Sequence, residues 1–198
     1  MYRRPEAVYF FRGHYTSILT VIVVETERLR LRTWKPEDRE PFARMNADSR
    51  VMEFFPGVLS RSESDALADR IETHFSERGF TFFAAELRES EEFIGFVGLA
   101  EPSFDTHFTP CVEIGWRLVS DHWGRGLATE AARAVLRHGF EALRMREIVS
   151  FTVPGNVRSR RVMEKIGMTR DPVDDFDHPG LPEGHHLRRH VLYRARSG

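Results

Sequence analysis

The stretch from His122 to Phe140, HWGRGLATEAARAVLRHGF, restricts this chain more than any other. It opens with Gly124 and Gly126 on either side of Arg125. It then continues as an unbroken helical pattern, predicted to run from about Gly126 to Leu143. Leu127, Ala131, Val135 and Leu136 recur on one side with Phe140 and Leu143, while Glu130, Arg133, Arg137, Glu141 and Arg144 form a polar stripe. Such a helix lies on a sheet, and its N-terminus is anchored there. The free N–H groups of a first helical turn and the helix dipole attract an anion. Glycine puts no Cβ between the backbone and that anion, and Arg125 adds charge. The plainer reading is a tight strand-to-helix turn that needs glycine only for its dihedrals. The segment lacks the Gly-Lys-Ser/Thr ending of an NTPase loop and does not fit the GxGxxG dinucleotide fingerprint, so on its own it leaves both readings open.

The rest of the chain supplies the sheet. Thr26 to Trp34, TERLRLRTW, alternates Leu29 and Leu31 with charged residues, as a half-buried strand does. Pro36 suits a first helical turn, with Glu37, Asp38 and Glu40 near its positive end, and that helix is predicted to end near Asn46. A second helix lies in SRSESDALADRIETHFSER, with Ala66, Leu67, Ile71 and Phe75 on one side and Gly79 as its stop. Phe80–Leu87 and Phe93–Ala100 read as a hairpin joined by the polar RESEE. Cys111–Val119, Glu147–Pro154 and the terminal HHLRRHVLYRA are further strands. NVRSRRVMEKIG is a short helix with Asn156 as N-cap and Gly167 as its stop. The order βααβββαβαβ predicts a mixed α/β (α+β) sheet flanked by about four helices.

Composition narrows the function. A chain of 198 residues, 41% hydrophobic and 30% charged, can build one full core. A formal net charge of −1 gives no reason to expect a nucleic-acid partner. The single cysteine, Cys111, excludes an intrachain disulfide and fits a reducing, cytoplasmic setting. No run approaches the roughly 18 apolar residues of a membrane span, so no membrane partner is expected. In residues 1–24, Arg3 and Arg4 are not followed by a sustained apolar region and cleavage site. A loose arm or a misplaced start codon is therefore favoured over a targeting signal. One domain is expected over residues 25–198.

A second turn strengthens the phosphate reading. In TVPGNVRSRRVMEKIGM, Arg158, Arg161 and Lys165 fall on one helical face. Strands that precede helices tend to place such turns along one carboxyl edge of a sheet, where two of them can serve one ligand with several phosphates. A solvated basic face is the alternative.

Taken together, these segments resemble the GNAT acyl-CoA N-acyltransferases, and within them the RimJ/RimL branch of ribosomal-protein N-terminal acetyltransferases. The family's signature, Gln/Arg-x-x-Gly-x-Gly/Ala, falls on Trp123-Gly124-Arg125-Gly126-Leu127-Ala128, with Trp123 departing from the usual Gln or Arg. EIGWRL before it and N-x-x-S-x-x-x-x-E-K-I-G after it stand in the family's order, and TERLRLRTW and RRHVLYRA look like the same branch. The resemblance spans roughly Thr26 to Ala195. It implies a mostly antiparallel twisted sheet, splayed where acetyl-CoA binds as co-substrate. The strand backbone of Trp116, Arg117, Leu118 and Val119 would pair with the pantetheine amides. The amides of Gly124, Arg125, Gly126, Leu127, Ala128 and Thr129 would hold the pyrophosphate. Asn156 would meet the pantetheine arm, and Arg158, Arg161 or Lys165 the 3′-phosphate.

The implied chemistry moves an acetyl group from sulfur to a neutral amine. A protein α-amine has a pKa of about 7.7–8.0 against about 10.4 for lysine, so deprotonating it at neutral pH costs only about 1 kcal/mol. A modest base suffices, and Glu113, on the strand just before the glycine turn, resembles a glutamate used by several family members. The alternative is a solvated or ion-paired edge glutamate. A strand N–H would stabilise the oxyanion. The tyrosine that many members place beside the leaving thiolate is replaced by Met163. Ser159, one turn earlier, is the substitute donor, unless it bonds its own helix. Cys111 shares the strand face of Glu113 and raises an acetyl-cysteine route, against which stands its reading as a small buried hydrophobe.

DPVDDFDHPGLPEGHHLRRH gathers Asp174, Asp175, Asp177, His178, His185, His186 and His190. The spacing matches no regular zinc pattern, and no metal is expected. The stretch reads as an acceptor loop, with Asp175 and His178 at the pocket and its acids favouring a cationic amine. Phe54 and Phe55 form the facing wall or pack in the core. The acceptor is a protein N-terminus or a small-molecule amine; a catalytically idle acyl-CoA-binding module is the reading from another class. The acceptor and the oligomeric state, a homodimer included, are not readable from the sequence.

Overall fold

The structure is a computed structural model that describes residues 20–198. The expectations for residues 1–19 lie outside the described residues. The elements are β1 (Ile22–Glu25), β2 (Leu29–Arg32), α1 (Arg39–Ala47), α2 (Arg61–Arg78), β3 (Phe82–Leu87), β4 (Phe93–Ala100), β5 (Glu113–Leu118), α3 (Leu127–Glu141), β6 (Glu147–Thr152), α4 (Val157–Lys165), β7 (Thr169–Arg170), β8 (Phe176–Asp177) and β9 (Arg189–Arg196). The strand order is β1-β2-β3-β4-β5-β6-β9-β7, with β8 attached to β9. Only β5 and β6 run parallel; the other pairs are antiparallel. The sheet thus starts at Ile22, before the expected boundary at Glu25, because β1 pairs with β2 through Ile22, Val24 and Glu25. Two-residue strands such as β7 and β8 carry too short an alternation to be read from sequence.

Helix α3 packs on one face of the sheet. Leu127, Ala131 and Val135 meet Leu31, Val97, Ile114 and Ile148 in the main core. Helices α1 and α2 pack on the other, where Phe42 is fully buried against Trp34, Phe93 and Phe96 at centroid distances of 4.8, 6.4 and 6.1 Å. Truncating such a ring to alanine costs about 3–5 kcal/mol. A capping box between Ser60 and Glu63 starts α2, and Gly79, at φ +77°, stops it. Its buried face is Ser64, Ala68 and Ile71. Ala66, expected there, is exposed, because Ser64 turns inward to bond Asn46. Among the described residues no helix is long and apolar enough to cross a membrane.

Two features of the sheet frame the site. Beside β2, the buried Arg32 makes two bonds to Asp38, at 2.6 and 2.8 Å, and one to Glu86 at 2.7 Å; Lys35 reaches Glu86 at 3.0 Å. In the middle, β5 and β6 pair only at Glu113 and Val149. One residue further the Ser150 hydroxyl donates to the Ile114 carbonyl at 2.9 Å, and beyond that point the strands part.

Candidate active site

The parted strands leave a backbone edge. The Val119 N–H donates to the Ile94 carbonyl at 3.0 Å. By alternation Arg117 also turns its backbone toward β4, while Trp116 and Leu118 turn theirs into the gap. The Leu118 carbonyl accepts the Trp123 indole N–H at 2.8 Å. That leaves the N–H and C=O of Trp116 and the N–H of Leu118 for a peptide-like ligand. Of the four residues expected to offer backbone to a pantetheine, Arg117 and Val119 are therefore corrected: β4 takes their amides.

The glycine turn has the dihedrals its plainer reading requires and also leaves its amides open. Gly124 and Gly126 have φ of +76° and +78°, the left-handed region that glycine enters without strain. Gly126 precedes the first residue of α3, and no side chain caps that helix. Among the described residues the amides from Gly124 to Thr129 donate to no protein acceptor. The first bonded one is Glu130, to the Gly126 carbonyl at 3.0 Å. A row of free N–H groups at the positive end of a helix is an anion seat. Arg28 steadies the turn, donating to the Arg125 carbonyl at 3.0 Å and pairing with Glu130 at 2.6 Å. Beside the turn lies a hollow of about 450 Å³ lined by Thr129, Arg133, Arg137 and Lys165. In sequence Arg133 and Arg137 are only part of a polar stripe; no signal there shows that the stripe borders the turn. A larger cavity, about 500 Å³, lies between α3 and β9, lined by Phe140, Ile166, Arg194 and Arg196.

The start of α4 is closed instead. Asn156 Oδ1 accepts the Ser159 N–H at 3.2 Å, and its Nδ2 donates to Thr152 Oγ1 at 3.0 Å. The side chain expected at the pantetheine arm is thus engaged in capping the helix. Arg158 lies over the Trp123 ring at 4.5 Å and pairs with Glu53 at 2.6 Å, which brings the two turns side by side. Arg161 is exposed, and Lys165 borders the hollow. The Ser159 hydroxyl bonds no other described residue, and Met163 is 1% exposed.

Glu113, Gly115 and Arg117 share the face of β5 that looks away from α3. Burial pushes the Glu113 carboxyl up to about 7, and no neighbouring cation offsets it. The Cys111 thiol is pushed up to about 11 by burial and then by Glu113, and the residue packs against the hydrophobic cluster of Phe108, Val149, Phe176 and Leu192. That supports its reading as a buried hydrophobe and leaves the acetyl-cysteine route without a thiolate.

Aromatic rings lie against Arg117 and Arg158. Phe55, 37% exposed, lies 4.1 Å from the Arg117 guanidinium, and Phe54 lies 5.9 Å from that of Arg158. Neither belongs to the buried core. On the other side His178 stacks near Phe104 and His190, at 4.6 and 5.2 Å, and burial holds both imidazoles below their usual range. Asp175 is corrected: it is held by Arg170, at 2.9 Å from Nε, and so is not free to meet an acceptor. Asp174 pairs with Arg194 at 2.8 Å and Asp177 with Arg189 at 3.3 Å. The acidic loop therefore offers a cationic amine little unpaired charge.

A family profile described as "Acetyltransferase (GNAT) domain" matches residues 28–169. The chain is 31% identical over 149 residues to the uncharacterized N-acetyltransferase YnaD of Bacillus subtilis, covering 75% of this chain and 83% of that one. A crystal structure of an acetyltransferase from Agrobacterium tumefaciens superposes with a TM-score of 0.73 at 29% identity, over 95% of this chain and 100% of the other. Mycobacterium smegmatis RimJ, solved with CoA-disulfide, shares the fold with a TM-score of 0.68 at 20% identity, over 85% and 82% of the two chains.

Proposed function

This chain belongs to the GNAT acetyltransferase family and is an acyltransferase, and from that premise we propose that it carries an acetyl group from acetyl-CoA to a primary amine held beside Glu113. The observation that carries the proposal is the lone Glu113 carboxyl at the fork of β5 and β6, raised to about 7 and beside an open strand edge.

The residues fit acetyl-CoA. The C=O of Trp116 and the N–H of Leu118 match the pantetheine amides, the amides from Gly124 to Thr129 match the pyrophosphate, and Arg133, Arg137 and Lys165 stand ready for the 3′-phosphate. When bound, acetyl-CoA supplies the reactive thioester. The chain's own task is to place the amine and take its proton. Glu113 at about 7 is ionised in a large fraction at neutral pH and is basic enough to accept a proton, directly or through water. The Trp116 N–H is the unpaired donor for a developing oxyanion. The Ser159 hydroxyl is free to hydrogen-bond the departing thiolate.

A protein N-terminus and a small amine both meet these requirements. The fold shared with RimJ supports the first; the small-amine reading needs no surface beyond the cleft. The test is thiol release from acetyl-CoA with a panel of peptides and small amines. Acceptor-dependent release is expected. Tight acetyl-CoA binding without release for any amine would falsify the transfer reading.

A further inference from the structure

Arg117 is a cation without a counter-ion among the described residues. It stands on the Glu113 face of β5, four residues on, so the two Cα atoms are about 13 Å apart at 3.3 Å per residue. Its guanidinium carbon lies 4.1 Å from the centroid of Phe55 and 5.4 Å from that of Phe96. One N–H donates to Asn46 Oδ1 at 2.6 Å. Asn46 is fully buried and bonds Ser64 at 2.8 Å through Nδ2. Because a guanidinium only donates, the Asn46 amide must present its oxygen to Arg117. The Arg117 Nε is buried and has no partner. Burial draws the guanidinium down to about 10, and no carboxylate counters it. Asp48, a carboxylate on the α1–α2 connection, is engaged by Arg50 and Ser120.

Burying a cation unpaired is costly, and two aromatic faces replace only part of its hydration. The Arg32 site shows how this chain treats a structural arginine: with two carboxylates. Arg117 instead keeps donors free on the strand face that carries the base. We infer that Arg117 receives a carboxylate carried by the acceptor, so that the substrate is an amine bearing a carboxylate several bonds away. The inference rests on the acetyl-transfer reading for the fate of the amine. The planar donor fork and the flanking rings suit a planar, bidentate anion.

The test pairs ω-amino carboxylates, from 3-aminopropanoate to 6-aminohexanoate, with their primary carboxamides in the thiol-release assay. The best acid should exceed its amide in kcat/KM by about tenfold or more. Arg117→Gln should bring that ratio toward one, and Arg117→Lys should restore part of it. Equal rates for acids and amides in the unaltered protein overturn the inference, and that comparison needs no variant to fold. Faster turnover of an aminoalkyl phosphonate than of any carboxylate overturns it as well. If no amine reacts, the transfer reading fails by itself. The carboxylate site is then read by thermal shift with 6-acetamidohexanoate: a rise in Tm lost in Arg117→Gln supports it, and no rise overturns it.

Discussion

Arg32 with Glu86, across two neighbouring strands, and Arg117 with Glu113, along one strand, set the same two residue types in one sheet and treat them in opposite ways. In the first pair, burial alone would raise the Glu86 carboxyl, but hydrogen bonds from Arg32 and Lys35 outweigh it and hold it below the usual range. In the second, each charge is desolvated and neither meets the other. Glu113 rises, and Arg117 falls. Charges that only support the fold are paired because an unpaired one costs stability; charges left unpaired beside an open edge point to a ligand. The first pair is fully buried and matched; the second is only half-buried, and unmatched among the described residues.

Altering Glu113 should have the largest effect. Glu113→Gln should lower kcat/KM at pH 7 by about 10²–10⁴, with acetyl-CoA affinity in calorimetry changed little. An unchanged rate would remove Glu113 from the chemistry. Next, Arg32→Met leaves Glu86 and Asp38 buried without their cation and should cost about 3–5 kcal/mol in urea unfolding. A cost under 1 kcal/mol would dissolve the contrast. The pH dependences should then run in opposite directions. Because the unfolded carboxyl ionises at its ordinary value and the folded Glu113 only near 7, stability is lost as pH rises between the two and stays lost above about 7. Glu113→Gln should therefore raise Tm at pH 8 and not at pH 4, while the rate of the unaltered protein climbs through about pH 7. The lowered Glu86 gives its stability at neutral pH and loses it in acid, so Glu86→Gln should lower Tm most near neutrality. A smaller effect is expected of Gly126→Ala: a side chain at φ +78° should destabilise by about 1–2 kcal/mol and weaken acetyl-CoA binding. Ser159→Ala should lower kcat less than about tenfold, since a thiolate is a fair leaving group.

Much of the fold was legible because period and punctuation are local. The Gly79 and Gly167 stops, the Asn156 cap and the Leu29 and Leu31 alternation all sit where the sequence puts them. What escaped is what depends on distant partners. Asn156 and Asp175 have the right chemistry for a ligand, but Thr152 and Arg170 take it. Arg117 reads as one more strand residue; that its side chain lacks a carboxylate is a fact about every neighbour at once. Phe54 and Phe55 read as core, yet they line the arginines.

The Ser150 hydroxyl on the Ile114 carbonyl has a kinetic corollary. A fork set by a hydrogen bond from the facing strand is a preorganised slot, which a nucleotide thioester would meet without a prior remodelling step. Stopped-flow association should then be a single second-order phase, linear in ligand concentration. Ser150→Val, by letting the fork close, should introduce saturation.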